Sequence, residues 1–161
     1  MKNLIAPLCL TALVSACSVS DMNSQTADSP MSETILIEDK SFEAVEANIL
    51  EALEKRDLKL FTVVNHGEGA KSAGMDIGQS KLFIFGNPKT GTPLMMANRE
   101  MGLELPMKIL IYTTQTGELG LRRTDIKSLG PKYGLTNQDE RIEKIEAALK
   151  SISQEAISTP Q

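Results

Sequence analysis

Groups able to do covalent or metal chemistry are scarce in this chain. There are 2 Cys, 1 His and no Trp among 161 residues. Both cysteines, Cys9 and Cys17, stand near the N-terminus. The body therefore has no thiol for a disulfide, a cysteine nucleophile or a Cys-ligated zinc site. His66 has no second histidine with which to build one. Basic charge in excess is also missing: 17 Lys+Arg stand against 21 Asp+Glu, a net charge of -4. Nucleic acid demands a basic face, so none is expected as a partner. The apolar stretch Leu4 to Val14 falls short of the roughly 20 residues that a permanent membrane-spanning helix needs. No GxxxxGK[ST] loop and no GxGxxG after a strand is present, which removes the common nucleotide cradles.

What is present begins with an export signal. Met1-Lys2-Asn3 is a short cationic start, Leu4 to Val14 is largely apolar, and Val14-Ser15-Ala16-Cys17 closes with small residues and a cysteine. An aliphatic residue, two small residues and a cysteine have the order of a lipobox, so residues 1–16 are expected to be a lipoprotein signal peptide. Cys17 is then the lipidation site, its sulfur carrying a diacylglycerol by thioether linkage. Two or three acyl chains, at about 0.8 kcal/mol per buried CH₂, hold such a protein on a membrane indefinitely. Residues 17–33 are rich in Ser, Asp, Asn, Gln and Thr with no helical or strand period, and read as the lipidated cysteine and a flexible tether. The address implied is the cell envelope. Ser18 rather than Asp after the cysteine favours the outer membrane, facing the periplasm, in an enteric-type Gram-negative cell.

Residues 34–155 have the length of one domain, with 156–161 as a disordered tail. Phe42, Val45, Ile49 and Leu53 fall at helical spacing behind Ser41, a suitable N-cap. Ile142, Ile145, Leu149 and Ile152 make a second amphipathic helix, with Asn137 and Glu140 at capping-box spacing. Between them the period changes to two. Strands are predicted at Leu58–Val64, Lys81–Phe85, Met107–Thr113 and Glu118–Thr124, with a short strand at Ile35–Ile37. The order is β-α-β-β, a short helix, β-β, then α. Its neighbouring hairpins predict an α+β fold in which helices back a curved antiparallel sheet of four to five strands.

The least ordinary stretch is Phe85-Gly86-Asn87-Pro88-Lys89-Thr90-Gly91-Thr92-Pro93-Leu94-Met95. It reads as a strand exit, a turn at Asn87-Pro88 in which Gly91 takes positive φ, and a helix capped by Thr92 with Pro93 first. With Gly86-Asn87-Pro88 and Gly91-Thr92-Pro93-Leu94-Met95, with Leu103-Glu104-Leu105-Pro106-Met107-Lys108-Ile109-Leu110, and with Asn65-His66, the chain resembles the domain of unknown function 302 family. Lys132-Tyr133-Gly134-Leu135 adds a weaker match, and the whole covers about 40–150. The resemblance implies a TATA-binding-protein-like topology and brings no reaction with it; topology alone does not carry DNA binding. Members of the family often have histidine where Tyr133 stands and Asp where Thr113 stands, so a family site built on a second histidine would be incomplete here.

The ligand-binding candidates are His66, Asn87, Thr92 and Lys108. His66 closes a strand and could act as a general acid or base, or as an axial haem ligand; a plainer account is a histidine that closes the strand end. Thr92 and its neighbouring N–H groups could hold an anion, while turn and cap construction explains the same residues. Lys108 shares a strand face with Leu110 and Tyr112, either extended to solvent along its stem or lining a groove. Met95, Met96, Met101 and Met107 suit core filling better than soft-metal binding. No nucleophile–base pair can be named. The expectation is a membrane-tethered, non-enzymatic module that binds a small ligand or an envelope protein, or assembles with itself as a homo-oligomer. No cofactor is expected in that reading. The alternative is an enzyme, or a haem- or metal-dependent protein, centred on His66. Convergence of the four candidates on one concavity discriminates between the two.

Overall fold

The computed structural model describes residues 33–158. The expected signal peptide, Cys17 and nearly all of the expected tether lie outside the described residues. Five strands, β1 (Ile35–Ile37), β2 (Lys59–Asn65), β3 (Ser80–Gly86), β4 (Met107–Thr113) and β5 (Leu119–Arg123), form one sheet in the order β1-β5-β4-β3-β2. Every pairing is antiparallel. β2 to β5 form a meander, and β1 returns beside β5 at the far edge from β2. Helix α1 (Phe42–Glu54) crosses between those two edges and packs with the long C-terminal helix α5 (Asp139–Ile157). This is the α+β sheet backed by helices that periodicity predicts.

Alternation decides which face each helix covers. Phe83 and Phe85 on β3, Met107, Ile109 and Ile111 on β4, and Leu121 on β5 are buried with Val45 and Ile49 of α1 and Leu149 and Ile152 of α5. Each such side chain contributes about 1.5–3 kcal/mol on leaving water. Polar ties fix the helices over this core. Lys81 Nζ reaches Glu46 of α1 at 2.6 Å, and Arg123 of β5 meets Glu146 of α5 at 2.6 and 2.9 Å. Arg56 pairs with Glu155, and Asn48 Nδ2 donates to the Ala156 carbonyl at 3.1 Å, joining α1 to the end of α5. The opposite sheet face carries Leu82, Ile84, Lys108, Leu110 and Tyr112, all half-buried.

Three local expectations are corrected. The helix α3 runs Pro88–Ala97, so Asn87 is its cap and Pro88 its first residue. Thr92 and Pro93 fall inside it, and Gly91 is not among the positive-φ residues. Asn87-Pro88 supplies the same cap-then-proline chemistry one turn earlier, and the buried Leu94 holds the helix through its own Gly and Pro. Helix α5 begins at Asp139 with no side-chain cap, so Asn137 does not close a capping box. At its far end α5 continues to Ile157 with Ala156 fully buried, so residues 156 and 157 belong to the domain rather than to a disordered tail.

Two further seven-residue helices, α2 (His66–Ser72) and α4 (Ile126–Lys132), and a 3₁₀ segment, Arg99–Leu103, escaped the periodicity reading. Each short helix contains glycine, and α4 contains Pro131, so propensity argues against them. Packing and caps hold them. Asp125 accepts from the N–H groups of Lys127 and Ser128, and Ile126 and Leu129 are fully buried. In α2 a Cβ at Gly67 would lie 2.6 Å from the Gly78 carbonyl oxygen, so only glycine lets the Asn65-His66-Gly67 corner close against the β3 entrance.

Candidate functional site

The unusual sequence stretch builds one wall of an apolar cleft. Strand β3 ends at Gly86, Asn87 caps α3, and the chain then passes along the cleft through Thr90, Gly91, Thr92 and Met95. Leu105, Pro106 and Met107, from the second stretch singled out in the sequence, form a neighbouring wall. The facing wall is α5, through Arg141, Lys144, Ile145, Ala148, Leu149 and Ile152, with Leu58 and Phe61 closing the β2 side. The volume is about 520 Å³, inside the ~300–1,000 Å³ range of small-molecule sites. Phe85, Met107, Leu149 and Ile152 are buried in its floor, whereas Phe61 at the rim is 44% exposed. The charged residues in the lining are both cations, and no carboxylate is among them.

Asn87 and Thr92 are thus brought together. His66 and Lys108 are not with them. His66 is exposed at the first position of α2, beside the entrance of β3, and Asn87 follows the exit of that strand. Seven residues at ~3.3 Å each separate the two ends by roughly 20 Å. Among the described residues no group of three or more His, Cys, Asp or Glu is placed to hold a metal. The anion site pictured at Thr92 is occupied by the chain itself. Asn87 Oδ1 accepts from the Lys89 N–H at 2.9 Å, and the Asn87 carbonyl accepts from Thr90 and Gly91 at 2.9 and 3.0 Å.

Lys108 belongs to a polar cluster below the same segment. Its Nζ donates to the carbonyls of Glu104 at 2.7 Å and Pro106 at 3.1 Å, so it neither extends to solvent nor reaches the cleft. Burial lowers its pKa, opposed by the Glu104 carboxylate. Glu104 accepts from the Tyr133 hydroxyl at 2.6 Å and pairs with Lys132 at 2.9 Å. The tyrosine hydrogen bond, then Lys132, holds the Glu104 carboxyl below the usual carboxylate range, and the same bond raises the Tyr133 phenol. The Lys132-Tyr133-Gly134-Leu135 stretch therefore clamps the Glu104–Lys108 turn, with Gly134 at φ 63 and Leu135 buried behind it.

Sequence reasoning missed Arg141, the cation closest in kind to a ligand-binding group. The available signal was its place in the first turn of α5, where the helix dipole favours anions over cations. Its Nε donates to Gln138 Oε1 at 3.2 Å, and its two Nη nitrogens have no protein acceptor among the described residues. Lys144 is paired with Glu140 at 2.6 Å on the exposed helix surface.

Comparison with known proteins matches the model of the family described as "Domain of unknown function DUF302" to residues 34–152. The chain belongs to the DUF302 family. A crystal structure of an uncharacterized conserved DUF302 protein from Bacillus stearothermophilus superposes with a TM-score of 0.69, covering 79% of this chain and 98% of that one. At 16% identity this similarity concerns the fold. Curated relatives include the fluoride-specific ion channel FluC 1 of Brucella suis, 40% identical over 78 residues, which are 48% of this chain and 31% of that protein. FluC 2 of Brucella melitensis is likewise 40% identical over 78 residues, 48% of this chain and 29% of that protein. The matched stretch thus spans about a third of the length of these relatives. Among the described residues no helix of this chain is long and apolar enough to cross a membrane.

Proposed function

We propose that this chain is an envelope lipoprotein whose DUF302 domain binds a small, largely apolar ligand in the cleft between the β3–α3 corner and α5. The cleft is the observation that carries the reading. It combines a buried apolar floor with an open rim, and two separate sequence stretches, Gly86–Met95 and Leu105–Met107, converge to build it. Nothing in its lining pairs a nucleophile with a base, which favours binding over catalysis. The lipobox ending at Cys17 supports a lipid anchor, and Ser18 supports the periplasmic face of the outer membrane as the site of action.

Nile red fluorescence tests the binding reading. The full chain carrying Cys17→Ser is expected to blue-shift and enhance the dye, and Ala148→Phe, which fills the cleft from α5, is expected to abolish the effect. Equal enhancement in both proteins would remove the cleft from the account. Labelling with alkyne-palmitate tests the anchor: wild type is expected to take label and to fractionate with membranes, and Cys17→Ser to do neither.

A further inference from the structure

We infer that the ligand of this cleft is an amphiphile with an anionic carboxylate head, seated with the carboxylate on Arg141 and the alkyl chain over Phe85, Met107, Leu149 and Ile152. The inference rests on the cleft being a ligand site and adds the chemical class. Electrostatic complementarity carries it. The protein is acidic overall, at -4, yet the charged residues lining the cleft are Arg141 and Lys144. Of the three carboxylates that flank these cations in sequence, Glu140 is bound to Lys144, Glu143 pairs with Lys127, and Asp139 lines a separate hollow with Lys127 and Glu143. The Glu140–Lys144 pair is exposed on both sides, with side-chain exposures of 73% and 86%, and so holds Lys144 only weakly.

Arg141 is differently placed. The Gln138 contact occupies its Nε and orients the guanidinium plane, leaving the two Nη groups to present paired donors. That fork matches the two oxygens of a carboxylate. Arg141 also stands in the first turn of α5, so the positive end of the helix dipole adds to the same attraction. Beyond the head, the floor is apolar, and the ~520 Å³ of the cleft leaves room for an alkyl chain. A neutral apolar ligand would use the floor and leave the cations idle, whereas a hydrophilic anion would use the cations and leave the floor wet.

Calorimetric titration of the full chain carrying Cys17→Ser with decanoate and with decan-1-ol at pH 7 tests the class. Decanoate is expected to bind about ten-fold more tightly than decanol, equivalent to about 1.4 kcal/mol. Arg141→Gln is expected to bring decanoate down to the affinity of decanol and to leave decanol unchanged. Ala148→Phe is expected to abolish both. Equal binding of the two ligands by wild type, or an undiminished decanoate preference in Arg141→Gln, overturns the carboxylate inference while the cleft remains a ligand site. Absence of binding by either ligand, or binding unaffected by Ala148→Phe, overturns both readings.

Discussion

Replacing Glu146 by glutamine tests how α5 is held to the sheet. Its carboxylate oxygens lie 2.6 and 2.9 Å from the two Nη atoms of Arg123, and side-chain exposures are only 11% for the arginine and 17% for the glutamate. Arg123 also donates to the Thr124 carbonyl at 3.3 Å, which fixes the guanidinium against β5. Removing one member of a fully buried pair costs about 3–5 kcal/mol, because the remaining charge keeps its desolvation penalty. Residual exposure, and the further contacts that Arg123 keeps, place this variant below that range, at roughly 2 kcal/mol. For a domain of this size that corresponds to a fall in Tm of roughly 8 °C, followed by circular dichroism or calorimetry. The pH dependence follows from the same bond. Hydrogen bonding to Arg123, the largest cause, holds the Glu146 carboxyl below its usual 4.5. A depressed carboxylate contributes stability that is fully present above the unfolded value near 4.5 and is lost as pH falls through the lower folded value. Urea melts between pH 7 and pH 3 should therefore lose less stability in Glu146→Gln than in wild type. The apolar double variant Arg123→Met/Glu146→Leu should recover most of the loss. A Glu146→Gln protein as stable as wild type at pH 7 would refute the reasoning, since the ion pair would then contribute nothing to holding α5. So would a double variant no more stable than the single one.

Gly67→Ala should destabilise by about 1–3 kcal/mol in chemical denaturation, because its Cβ would meet the backbone oxygen of Gly78 at 2.6 Å and neither segment can yield cheaply. Gly69→Ala, with nothing within 4 Å, is the control on the same helix and should be neutral or slightly stabilising. Tyr133→Phe removes the 2.6 Å hydrogen bond to Glu104, so the Glu104 carboxyl should titrate at a higher pH by carbon-detected NMR. An unmoved Glu104 titration would show that Lys132, rather than the phenol, sets its acidity.

How far this protein was legible from its sequence varies from element to element. Period-two alternation placed all five strands within a residue at each end, because a half-buried sheet needs one apolar face. Helices α1 and α5 were equally plain, their apolar stripes being three turns or longer. The seven-residue α2 and α4 were not, since two turns carry too little pattern to distinguish from a loop, and their caps and buried contacts are tertiary facts. The start of α3 was misplaced because both Asn87-Pro88 and Thr92-Pro93 have the residues of a cap and first position, and only the packed corner at the end of β3 decides between them.

The candidate site divides in the same way. The sequence alone determined the inventory: one histidine, no thiol outside the N-terminal segment, and an unusual Gly86–Met95 stretch. It also carries the lipobox-like order Val14-Ser15-Ala16-Cys17, on which the proposed lipid anchor rests. Only the tertiary structure decided that Asn87 and Thr92 share a cleft, that His66 stands at the opposite end of β3, and that Lys108 is spent on the backbone of its own turn. Arg141 lies about 50 residues from the other wall of the cleft, and no local pattern links them. They meet because the apolar face of α5 must cover the sheet, which brings the flank of that helix to the rim.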